Sequence, residues 1–278
     1  KSGNMPTNKS DVLLQNPPDL SQLVEQYDSP DYLGAMLVGS ATGSHDIFSD
    51  IDLVFFAEQA KPDSYQLSFW QERLVSTTVT TITETMESFS DPIKAIQNIE
   101  GLRRAIILRD TTSGALGKIQ TAALHFEWSE TLATRADQQA SYHLAGNAEE
   151  VHKILGALKH DDIVSDLKGQ GRLLAGLMGL TLALPLVIAL KYRILSQSEN
   201  LFLSQIYDTI GTKSNWFSIY KRCLEGQLTA RAMAALELYE ATSVLCLPFG
   251  DSTERLEQEK TVIRKTLKRI ESCLNRKF

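Results

Sequence analysis

The stretch 37-LVGSATGSHDIFSDIDLVFF-56 decides how the rest of the chain is read. One apolar run ends in Gly39-Ser40, and a second, Leu53 to Phe56, follows the aspartates Asp50 and Asp52. On an extended strand residues i and i+2 share a face, about 7 Å apart. Two carboxylates so held repel one another and are expensive to bury, so a bound cation is the simplest partner. Oxygen-only ligands suit Mg2+. Gly39 lets a phosphate approach the backbone, and the N–H groups and Ser40 hydroxyl that follow can donate to it. A phosphate cradle and a metal pair together describe a nucleotide-phosphate site. Each half alone has a plainer reading, since Gly-Ser is commonly a turn and Asp-x-Asp a solvated loop.

Around this stretch the first part of the chain alternates strands with helices, which indicates an α/β (α+β) domain with a mixed sheet. A short helix is expected from Leu20 to Gln26, closed off by Pro30. Strands are expected at GAMLVG (34–39), IDLVFF (51–56), the β-branched RLVSTTVTTIT (73–83) and RRAIILRD (103–110), the last followed by the turn-like TTSGALG. Between the second and third, Pro62 to Glu72 has Leu67, Trp70 and Gln71 at helical spacing. After Lys118 helix formers and 3.6-residue spacing take over, through Leu132, Tyr142, Val151, Ile154, Leu155 and Leu158. The layout is a domain over 1–118 and an all-helical substrate-binding or assembly domain over 119–278. The last helix opens on a capping pair, Asp251 and Glu254, and lines one face with Leu256, Val262, Ile263, Leu267, Ile270 and Leu274.

Bulk properties exclude several function classes. The 278 residues are 43% hydrophobic and 22% charged, an ordinary globular balance. A formal charge of −6 argues against a broad electrostatic grip on nucleic acid. Cys223, Cys246 and Cys273 share no metal-like spacing and read as free thiols, which places the protein in a reducing cytoplasm. His45, His125, His143, His152 and His160 form no zinc pattern. The uncharged run Leu173 to Leu190 barely reaches spanning length and carries Gly176, Gly179 and Pro185. It is expected to be a buried hairpin or kinked core helix rather than a membrane span. A homodimer is compatible with the sequence.

The block GSATGSHDIFSDIDLVFF resembles the Gly-Ser … Asp-x-Asp signature of the DNA polymerase β-like nucleotidyltransferase superfamily. Within that superfamily it is similar to bacterial antibiotic adenylyltransferases (aminoglycoside and lincosamide types). The resemblance implies a nucleotidyltransferase domain that moves a nucleoside monophosphate, AMP first among them, from Mg-NTP to a hydroxyl of a small acceptor. By the same resemblance Asp50 and Asp52 would hold the metal, and Gly39 and Ser40 the triphosphate of ATP or another NTP. The family's third acidic residue, on the next central strand, is not evident. Glu84 is the first candidate, at the end of the expected third strand, and Asp110 the second. The acceptor is expected to bind in the cleft between the two domains, with Asp161 and Asp162 favouring a cation or simply capping a helix. The alternatives are a catalytically weakened nucleotide-binding module with a regulatory or assembly role, or transfer to a protein or tRNA.

Overall fold

The computed structural model describes residues 20–39, 42, 50–59, 64–159, 166–211, 214–247 and 254–275. Ser40, His45, His160, Asp161, Asp162 and Asp251 lie outside the described residues. The chain divides into two compact units: residues 1–90 with 97–126, and residues 91–96 with 127–278. The division expected at residue 118 falls inside α4 (Ala115–Leu124), whose Leu116, Ile119 and Ala123 are buried in the first unit.

The first unit is built on a five-stranded mixed sheet in the order β3-β4-β2-β1-β5: β3 (Tyr65–Trp70), β4 (Arg73–Thr80), β2 (Ile51–Ala57), β1 (Tyr32–Val38) and β5 (Ile106–Asp110). β2 and β4 run parallel, and every other pair is antiparallel. Alternation splits each strand between two cores. Ile51, Leu53, Phe55, Val75, Val79 and Trp70 face α1 (Leu20–Tyr27), which contributes Leu23 and Val24. On the other face Met36 and Phe56 pack with α4 and with Leu102 of α3 (Pro92–Arg104). Asp52 lies on β2 between Ile51 and Leu53, so its side chain belongs to this second face.

Within the stretch Pro62 to Glu72, read at helical spacing, residues 65–72 are instead β3 and its turn. Trp70 pairs with Arg73, and Gln71 and Glu72 form a two-residue hairpin loop with φ of 46° and 64°. Such a loop needs positive φ at both positions and normally announces itself by Asn-Gly or Asp-Gly. Gln-Glu carries no such signal, and Leu67, Trp70 and Gln71 imitate a helical stripe. The third strand is also shorter than expected. It stops at Thr80, because Thr81 caps a five-residue helix, α2 (Ile82–Met86).

Among its described residues the second unit is built of helices: α5 (Glu130–Gly146), α6 (Ala148–Leu158), α7 (Leu167–Tyr192), α8 (Glu199–Ile210), α9 (Trp216–Leu224), α10 (Leu228–Cys246) and α11 (Glu254–Leu274). The apolar run belongs to α7, a single helix containing Pro185. By length and composition α7 could cross a membrane, yet most of it is buried, with Leu173, Leu177, Leu180, Leu184 and Ile188 at the centre of the core. A Cβ at Gly176 would lie 2.6 Å from Ile154 Cγ1 and 2.8 Å from the Glu150 carbonyl of α6. The glycine therefore sets how closely α6 and α7 pack. Gly176→Val is expected to lower unfolding free energy by about 2 kcal/mol in a urea titration, because a backbone atom cannot give way. The end of α7 is tied to α5 by Arg193, whose guanidinium donates to the Ala133 carbonyl at 2.6 Å and to Asp137 at 2.9 Å. On α11, Leu256, Ile263 and Ile270 are buried, but Val262 is exposed, outside the apolar face expected for it. Burial pushes the thiols of Cys223 and Cys246 up to about 12.

Candidate functional site

Two registers assemble the site. The antiparallel pairing of β1 with β2 sets Val38 opposite Asp52, which brings the next residue, Gly39, against the Asp52 side chain. Gly39 has φ +75°, a conformation side chains rarely adopt. A Cβ there would overlap the Asp52 carboxylate near Oδ2. The Gly39 carbonyl accepts the Thr42 hydroxyl at 2.9 Å and its N–H at 3.4 Å. The strand exit and the carboxylate thus meet at a point that only glycine fits.

The parallel pairing of β2 with β4 sets Ser76 beside Asp52. The Ser76 hydroxyl donates to Asp52 Oδ1 at 2.5 Å, a charge-assisted bond that fixes the carboxylate's orientation. Asp50 immediately precedes β2, two residues from Asp52, at the spacing that puts both on one face of an extended chain. Oxygen donors, a glycine that lets the backbone lie against one of them and a hydroxyl that orients it fit a hard divalent cation. Among the described residues no cluster of three or more His, Cys, Asp or Glu side chains gathers.

Neither candidate for a third carboxylate reaches this point. Glu84 is the third residue of α2, where Oε2 accepts from the Thr81 N–H at 3.0 Å and from the Thr80 hydroxyl at 3.1 Å, while Thr81 Oγ1 accepts the Glu84 N–H. That is a capping box, and the sequence spells it as T-I-T-E. Since β2 and β4 run together from the Asp52/Ser76 row to the Phe56/Thr80 row, Glu84 lies beyond the far end, more than about 13 Å along the strand. Asp110 pairs with Gly34, five residues from Gly39 on β1, at the same far end. Burial would raise its pKa, but the hydroxyl and N–H of Thr112 and the N–H groups of Leu116 and Gly117 outweigh that and hold it low. Asp110 therefore serves the start of α4.

Ser76 was missed by the sequence reading. Its place in RLVSTTV is fixed by counting from the Trp70–Arg73 hairpin, and that hairpin was hidden.

No family model and no curated protein matches the chain. Among solved structures, it is similar to the crystal structure of a nucleotidyltransferase-like protein from Exiguobacterium sibiricum 255-15. The two share 13% identity with a TM-score of 0.45, over 92% of this chain and 90% of that one.

Proposed function

We propose that this chain is a nucleotidyltransferase that moves a nucleoside monophosphate, AMP in the first instance, from Mg-NTP to a hydroxyl of a small acceptor in the cytoplasm. The observation that carries the reading is the register that lays Gly39, with its left-handed backbone, directly against the Asp52 carboxylate. Backbone N–H groups that follow Gly39 in the sequence, with Ser40 among them, would cradle the triphosphate. Asp50 and Asp52 would hold Mg2+, which when bound neutralises phosphate charge and eases departure of pyrophosphate. Ser76 keeps one Asp52 oxygen fixed, leaving Oδ2 directed at the turn.

A second reading, a catalytically weakened nucleotide-binding module, is favoured by one observation. The strand beside Asp52 offers Ser76, a neutral hydroxyl, where a carboxylate could take the acceptor's proton or a further metal bond. Pyrophosphate release from ATP, screened across hydroxylated compounds including aminoglycosides and lincosamides, separates the two. Release tied to one compound class and absent in Asp52→Asn supports transfer. Bound nucleotide without release across the panel supports the weakened module.

A further inference from the structure

We propose that three exposed side chains of β3, Tyr65, Leu67 and Phe69, form the platform on which the nucleobase of the bound nucleotide stacks. The inference rests on the nucleotide-site reading and adds to it the part of the ligand that the phosphate cradle does not touch.

The sheet register places this surface. Ser76 pairs with Asp52 on one side and with Leu67 on the other, so Asp52, Ser76 and Leu67 form one row across three strands. Their side chains share a face, and two strand spacings put Leu67 about 10 Å from Asp52. Tyr65 occupies the next row, opposite Thr78, and Phe69 the preceding one, opposite Leu74. The other face of β3 is engaged, with Trp70 in the α1 core and Ser68 hydrogen-bonded to the Tyr27 hydroxyl.

Exposure makes the row unusual. Tyr65 is 58%, Leu67 56% and Phe69 72% exposed, three large apolar side chains adjacent on an edge strand. Solvated faces are normally polar, and a contiguous apolar patch marks a binding surface. Residues 64–70 carry no charge, so the surface does not suit a polycation or a second phosphate group. A flat, uncharged ring does suit it, and the distance from Asp52 is what a ribose and its phosphate ester span. Aromatic stacking uses the π-face that every base possesses, so discrimination among bases is weak and purines bind better than pyrimidines.

Calorimetry in Mg2+ with two probes tests this: a non-hydrolysable ATP analogue, and inorganic tripolyphosphate, which lacks the base. In Phe69→Ser the analogue is expected to bind about tenfold more weakly. Tripolyphosphate is expected to bind unchanged, with Tyr65→Ser behaving alike. Since both side chains are exposed, the variants should keep the parent melting temperature. Equal affinities of parent and variants for the analogue would overturn the platform, as would equal losses for both probes. So would a shift from dimer to monomer in Phe69→Ser on sedimentation with the analogue bound as tightly as by the parent, which would assign β3 to pairing with a second copy. The phosphate site fails separately: Asp52→Asn would then leave tripolyphosphate binding unchanged, while the Phe69→Ser comparison would still read the platform.

Discussion

Asp52→Asn is expected to weaken binding of a Mg2+-loaded ATP analogue by at least about a hundredfold, since groups one shell further from a metal already contribute 10- to 100-fold. The position leaves little room for compensation. Oδ1 is held by the Ser76 hydroxyl and Oδ2 lies against the Gly39 turn, so an amide would set either its NH2 or its neutral oxygen at the cradle. One negative charge is lost where a dication is to be held. The substitution keeps the shape of the side chain, so the melting temperature without nucleotide should stay close to that of the parent. Glu84→Gln and Asp110→Asn, at the opposite end of the sheet, should change nucleotide affinity less than twofold. A large loss in either would mean that the far end of the sheet takes part.

Ser76→Glu is the second substitution with a large expected effect, and its sign depends on the metal. The new carboxylate would stand in the same row as Asp52, one strand spacing away. Without Mg2+ two like charges side by side should lower the melting temperature by several degrees. With Mg2+ the added oxygen becomes a further ligand, and affinity for the ion is expected to rise about tenfold, or about 1.4 kcal/mol. Ser76 is buried, so overpacking must be separated from charge, and Ser76→Gln has nearly the same volume without the charge. Thermal melts of the three proteins with and without Mg2+ give the answer: the Mg2+-dependent rise should be largest in the glutamate variant and small in the glutamine one. Equal rises in both would place the metal away from Ser76.

The strands on either side of Gly39 and Asp52 were legible because their signals are local: apolar runs of strand length, a glycine at an exit and polar residues where burial was expected. The helical second unit was legible through its 3.6-residue spacing, and α7 through its uncharged length. What stayed hidden depends on partners remote in sequence. β3 shows its apolar residues to solvent and turns on Gln71-Glu72, so both its pattern and its hairpin are disguised. Glu84 was misplaced because the β-branched run continues past Thr80, although the T-I-T-E box stops the strand there. Ser76 gains meaning only from a parallel register with a strand 24 residues earlier, which no local pattern encodes.

The central claim is that Asp50 and Asp52 hold a divalent cation together with the nucleotide's phosphates. Titration of the parent protein with the ATP analogue, once in Mg2+ and once in excess EDTA, tests it most directly. Binding at least about tenfold tighter with Mg2+ is the predicted result. The same affinity in both buffers would contradict it, and the aspartate pair would then have to be explained without a metal.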